Sequence, residues 1–269
     1  MNRPATGMHV IALHSKPLLP PKDDLYARLD ESLASLGRPM PERAVVAVSS
    51  KVVAIGEGRC VLIPEGASEE ERKECKHALA RSEADLYLQP DPASPHGRAF
   101  TVTHGAFVGV ANAGIDESNG NGYFILWPKD PMRSAEEIRA HLRKRHAVEE
   151  LGVIITDSTS VPMRNGVMGV TIGYSGFRAQ YDYRGKPDIF GRLLKFERLN
   201  VADSLATAAT LAMGEGNGCT PFVLIEDIPN ITFAETESDD PLLALSVSME
   251  NDLFAPFFKN ASWRKKKRT

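Results

Sequence analysis

The sequence predicts an α+β protein with mixed or antiparallel sheets and packed helices. Three observations carry that expectation. Short apolar runs of strand length recur along the chain. Helical segments with recognisable N-terminal caps alternate with them only loosely. The tight βαβ rhythm of a doubly wound sheet is absent, and no GxGxxG or GxxxxGK[ST] occurs. The chain has 269 residues, enough core for one large domain or two modest ones. With 32 Lys+Arg against 35 Asp+Glu, the formal charge is −3, and 42% of residues are hydrophobic. That balance argues against disorder and against a protein that coats nucleic acid.

The elements follow in order. His9–Leu13 reads as a short strand, followed by a proline-rich turn over 16–22. Asp23 and Asp24 open a helix whose apolar face includes Leu25, Leu29 and Leu33. Ala44–Ser49 is a continuous apolar run, which fits a strand buried on both faces. Ser68 and Glu71 form a capping box for a helix over 68–84. Residues 89–99, with Pro90, Pro92, Pro95 and Gly97, read as an irregular loop. Residues 100–111 alternate like a strand. Residues 112–122 carry too many Asn, Gly and Asp for regular structure, yet apolar strands flank them (107–111 and 123–127). Loops held between strands in this way often carry function.

Ser134 and Glu137 read as a second capping box, opening a helix to about His146. Residues 152–156 form another buried strand that ends at Asp157-Ser158-Thr159. Residues 167–175 are strand-like, and Asn165-Gly166 before them fits a type I′ hairpin turn. Asn200 caps a helix over Val201–Met213 that is rich in alanine. A glycine-rich exit, Gly214 to Gly218, leads to a last strand over 221–226. No internal repeat is present. The chain divides into a domain over 1–226 and a C-terminal extension over 227–269 with a basic end.

The three cysteines, Cys60, Cys75 and Cys219, have neither disulfide-framework nor zinc-site spacing and fit a reducing compartment. No secretory signal opens the chain, and no apolar run approaches membrane-spanning length. The expectation is a soluble cytoplasmic protein without nucleic-acid or membrane partners.

Three acids share one context. Asp116 lies in the turn-rich stretch, Asp157 just past a strand, and Glu215 in the glycine-rich helix exit. Such carboxylates either cap their own turns or converge on a hard cation such as Mg²⁺ or Mn²⁺. Ser158, a hydroxyl beside an acid, is a further metal or phosphate partner. The loop after Met213 either wraps a polyphosphate or simply closes the helix. Arg164 is a candidate clamp for a phosphate or carboxylate, held by its turn. His104 reads as structural or catalytic. Asp182-Tyr183-Arg184-Gly185 and Asp188 to Arg192 form a second charged, glycine-punctuated stretch, and Arg264 to Arg268 reads as a solvated tail.

Five segments occur in the order and spacing of one family. They are Asn112-Ala113-Gly114-Ile115-Asp116-Glu117-Ser118-Asn119, Gly152-Val153-Ile154-Ile155-Thr156-Asp157-Ser158, Arg164-Asn165-Gly166, Asp182-Tyr183-Arg184-Gly185 and Met213-Gly214-Glu215-Gly216. From about Lys16 to Glu226 the chain resembles the coenzyme F420-0:L-glutamate ligase family, the γ-glutamyl ligases of deazaflavin cofactor synthesis. The resemblance implies an intertwined α+β homodimer. It also implies a metal-dependent, GTP-driven ligase that joins L-glutamate to a carboxylate of an F420-0-like acceptor through an acyl phosphate. Asp116 and Asp157 match one metal site, and Ser158 and Glu215 a second, for Mg²⁺ or Mn²⁺. Lys16, Pro17, Leu18, Leu19, Ser50, Lys51 and Asn119 match nucleotide contacts. So does the loop of Met213, Gly214, Gly216, Asn217, Gly218, Cys219 and Thr220.

The chain departs from the family pattern at three places. Ser158 stands where threonine is usual, Ser160-Val161-Pro162 replaces Gly-Arg-Pro, and Ile55 replaces a nucleotide-contacting lysine. These motivate two alternatives: a non-catalytic nucleotide-binding relative, or an amide ligase acting on another acid such as a folate or pterin derivative. The charge balance sharpens accordingly. Residues 264–269 hold five positive charges and no negative ones, so a chain of −3 conceals a body of −8. An acidic body needs cations before it can hold a polyphosphate.

Overall fold

The computed structural model describes residues 7–90, 99–103, 108–235 and 244–265. His104, the core of the 89–99 loop and the last four residues lie outside them. A five-stranded sheet organises the chain. Its strands are β1 (His9–Leu13), β2 (Ala44–Ser49), β8 (Leu151–Thr159), β9 (Met168–Ser175) and β12 (Phe222–Glu226), in the order β1-β12-β2-β8-β9. β2 and β8 run parallel, and every other neighbouring pair is antiparallel. The α+β class with mixed sheets is therefore what the chain adopts.

The continuous apolar run of β2 follows from burial on both faces. Val46 and Val48 join a core with Leu25 and Leu29 of α1 (Leu25–Ala34), Val53 of α2 (Ser50–Glu57) and Ile138 of α4 (Pro131–His146). Val45 and Ala47 join the opposite core, against Ala202, Leu205 and Ala206 of α5 (Val201–Met213). Small residues on α5 let its backbone approach closely. Gly169 of β9 sits so near α5 that a Cβ there would come within 2.3 Å of the Ala206 carbonyl oxygen.

Between β2 and β8 the chain builds a second layer. α3 (Glu69–Glu83) opens with the capping box read from Ser68 and Glu71. It packs with β3 (Cys60–Leu62) and β7 (Tyr123–Ile125) around Ile63, Ala80, Ile115 and Phe124. A four-stranded antiparallel sheet adjoins it, formed by β4 (Leu86–Tyr87), β5 (Phe100–Thr103), β6 (Val108–Ala111) and the C-terminal β13 (Arg264–Lys265). The alternation over 100–111 is thus two antiparallel strands, and Arg264-Lys265 is a paired strand where a solvated tail was expected. β10 (Gln180–Asp182) and β11 (Arg198–Asn200) pair at the base of an excursion that exposes Ile189 (91%), Phe190 (89%) and Phe196 (85%). α6 (Ala255–Phe258) is a single turn near the end.

Three local expectations are corrected. α4 begins earlier than its supposed capping box: Asp130 caps it by accepting from Arg133 N, with Pro131 following as a first-turn proline. Ser134 instead donates to Glu57 Oε1 (2.6 Å), and Glu137 pairs with Arg133. β8 does not stop at Thr156. The register shifts against β9 between Ile155 and Thr156, and the strand continues through Asp157 and Ser158 to Thr159. Finally, β8 and β9 are joined by residues 160–167, with positive φ at Met163 (59°) and Gly166 (87°), and not by a two-residue Asn-Gly turn.

Candidate functional site

Parallel strands direct their carboxyl ends to the same side, where ligands of α/β sheets gather. β2 and β8 do so here. Ser49 pairs with Thr156, and the residues that follow them meet: Ser50 Oγ, at the start of α2, donates to Asp157 Oδ1 at 2.9 Å. The register shift in β8 falls just before Asp157, and such irregularities re-aim the residues that follow them. The second oxygen of Asp157, Oδ2, accepts from the indole Nε1 of Trp127 at 2.7 Å. Burial pushes the Asp157 carboxyl up to about 6, although the Trp127 and Ser50 hydrogen bonds oppose the rise; nearby Asp116 adds to it.

Asp116 comes from the loop layer. Asn112, Ala113 and Gly114 all take positive φ (51°, 52° and 71°), which turns the chain sharply and excludes regular structure beyond a short 3-10 turn. Asp116 then bridges to Ile125 through its backbone, and its Oδ1 accepts from the Ser118 N–H (2.8 Å). Lys51 Nζ reaches its Oδ2 at 2.7 Å and also donates to the Ser118 carbonyl at 2.8 Å. Burial raises the Asp116 carboxyl, but the Lys51 charge and the hydrogen bonds of Lys51 and Ser118 outweigh it. The net direction is below the ordinary carboxylate range.

The third wall is the exit of α5. Gly214 (φ 71°) breaks the helix, and Thr220 Oγ1 donates back to the Met213 carbonyl at 2.7 Å. Asn119 Nδ2 donates to the Gly216 carbonyl at 3.1 Å, tying this loop to the Asp116 loop. Ser158 Oγ donates to Glu215 Oε1 at 2.5 Å.

These walls enclose a cavity of about 630 Å³. Asp116, Asp157, Ser158 and Glu215 line it together with Lys16, Pro17, Leu18, Lys51, Asn119, Met213, Gly214, Gly216, Asn217, Cys219 and Thr220. Among the described residues, no three His, Cys, Asp or Glu side chains close into a ready-made cation cage. The acids stand instead as Asp116 near Asp157, and Glu215 against Ser158. Four expected residues are not on the cavity wall. Ser50 is buried behind Asp157, Leu19 and Gly218 are exposed beside the wall, and Arg164 is exposed on the 160–167 connection. Ile55 does line the cavity and is only 2% exposed, so an apolar surface stands where the family pattern has lysine.

Sequence reading missed Trp127, Ser118 and Lys76; Ser118 and Lys76 line the same cavity. For Trp127 a signal existed: a tryptophan inside an apolar run must find a partner for its N–H. The partner, thirty residues away, could not be read from the sequence.

The family model for F420-0:gamma-glutamyl ligase matches residues 15–227. The chain belongs to that family. It is 34% identical to the coenzyme F420:L-glutamate ligase of Methanopyrus kandleri over 82% of this chain and 89% of the relative. Against the protein of the same name from Methanothermobacter thermautotrophicus it is 30% identical, over 92% and 99%. With that from Haloarcula marismortui it shares 36%, over 82% and 87%. Membership places the chain among the γ-glutamyl ligases, enzymes that form a C–N bond. Among the described residues, no helix is long and apolar enough to cross a membrane.

Proposed function

We propose that the chain is a metal-dependent, GTP-driven ligase that joins the amino group of L-glutamate to a carboxylate of an F420-0-like acceptor, working as a homodimer. The observation that carries the reading is the single cavity that unites Asp116, Asp157, Ser158 and Glu215 with the 213–220 loop. Its volume suits a nucleotide-sized ligand. A free carboxylate resists amines because its oxygen leaves poorly. Attack of that oxygen on the γ-phosphorus of GTP releases GDP and makes an acyl phosphate. The glutamate amine then attacks the acyl carbon, loses its proton, and expels inorganic phosphate.

The donor set fits Mg²⁺ or Mn²⁺. These ions take a few hard oxygens from protein and the rest from phosphate and water. Asp116 with Asp157, and Ser158 with Glu215, would each hold one. Bound there, a cation supplies neutralisation of the crowded phosphate oxygens. The exposed backbone of Gly214 and Gly216 can approach a polyphosphate closely. Lys51 adds a positive charge on the same cavity wall. The apolar wall of Leu18, Val52 and Ile55 suits a flat ring more than a charged group.

The exposed Ile189, Phe190 and Phe196 support the homodimer, since an apolar excursion of this kind is otherwise costly in water. The test is phosphate release from GTP. It is expected with Mg²⁺ or Mn²⁺ only when glutamate and acceptor are both present. GTP binding without turnover on F420-0, folate or pterin acids would instead support a non-catalytic relative. Light scattering checks the dimer, which Phe190→Asp is expected to split.

A further inference from the structure

We propose that Trp127 is a positioning residue that fixes the Asp157 carboxylate for a divalent cation and sets its place relative to Asp116. The proposal rests on the ligase reading above. A carboxylate offers about four lone-pair positions on two oxygens. On Asp157 the Ser50 hydroxyl holds Oδ1 (2.9 Å), the Trp127 indole holds Oδ2 (2.7 Å), and the Ser158 backbone N–H is a third donor to the carboxylate. Held at both ends, the carboxylate cannot rotate about its Cβ–Cγ bond without losing both partners. The three donors leave about one of the roughly four lone-pair positions for a cation. All three donors are neutral, so the negative charge stays uncompensated for that cation. Asp116 differs, because Lys51 already neutralises it.

Trp127 is itself held firmly. It is 4% exposed, and its backbone carbonyl accepts from Arg59 Nε at 3.0 Å. Arg59 in turn pairs with Glu83 of α3. The indole packs against Gly114, where a Cβ would come within 2.0 Å of Nε1. Gly114 is two residues from Asp116 in the same loop. One side chain thus touches the segments that carry both acids. The left-handed glycine (φ 71°) is what leaves room for it. Outer partners of this kind orient metal ligands, and their loss typically weakens metal binding about 10–100-fold.

The chain has two tryptophans, which makes the idea readable by spectroscopy. Trp263 lies in the C-terminal segment, with its indole donating to the Phe258 carbonyl. In full-length Trp263→Phe protein, Mn²⁺ is expected to quench the Trp127 emission in a saturable way. Trp127→Phe keeps a ring and removes the N–H. Titration followed by the free Mn²⁺ paramagnetic resonance signal is expected to show affinity reduced about 10–100-fold in this variant. Mn²⁺ that saturates the protein without altering Trp127 emission overturns the proposal, as does undiminished affinity in Trp127→Phe. Should that variant not fold, the Trp263→Phe emission decides alone. Wild-type protein that binds no Mn²⁺ overturns the metal reading, and this proposal with it. Wild-type binding with an indifferent Trp127→Phe overturns only this one.

Discussion

Asp116 and Asp157, neighbours on the cavity wall, are held in opposite ways. Asp157 sits on a strand of the central sheet, between neutral donors, and burial drives its carboxyl up to about 6. Asp116 sits on a loop of left-handed residues, and a lysine and two hydrogen bonds from Ser118 draw its carboxyl down. The sheet side is fixed by neutral hydrogen bonds and short of positive charge. The loop side is already neutralised by Lys51. On the proposed reading, a cation would relieve the buried charge of Asp157 and would compete with Lys51 for Asp116.

The largest consequence concerns the reaction. Asp157→Asn is expected to lower glutamate- and acceptor-dependent phosphate release by about 10³-fold or more, because the amide carries no charge for a cation. Asp116→Asn is expected to do the same, and wild-type turnover in either would break the comparison.

Next comes stability without metal. The folded-state value of Asp157 lies above its unfolded value, so the folded chain holds a proton where the unfolded chain has released it. Stability from this group is therefore full below about pH 4 and is lost as the pH rises through about 6, by about 3 kcal/mol. Thermal or urea unfolding of metal-free protein should show that decline. It should be reduced in Asp157→Asn and offset by added Mn²⁺.

Lys51→Met is expected to cut turnover by about 10²-fold through the loss of a cation from the cavity wall. Mn²⁺ affinity should not fall, since Lys51 competes for Asp116. Ser158→Ala should cost about tenfold in turnover if its hydroxyl contributes one ligand bond, and Ser158→Thr should retain activity. Arg164→Ala, exposed and off the wall, should change turnover by less than about twofold.

The same contrast explains what was legible. β2 declared itself because both its faces are buried, and α3 and α5 because Ser68 and Asn200 cap them through contacts three residues away. The start of α4 was also written in Asp130-Pro131, but Ser134 imitated a cap while its hydroxyl was committed to Glu57. Acids and glycines of the cavity could be named, because turns and strand ends select them locally. The bonds that distinguish them could not. Trp127 to Asp157, Lys51 to Asp116 and Asn119 to Gly216 join residues far apart in the chain, and only the fold brings them together.

The most direct test is a crystal structure with Mn²⁺ and a non-hydrolysable GTP analogue, using anomalous scattering from the metal. The account predicts manganese at about 2.1 Å from carboxylate oxygens of Asp116 and Asp157. It also predicts the triphosphate along the 213–220 loop and Lys51 released from Asp116. A nucleotide bound elsewhere, or manganese touching neither acid, would contradict it.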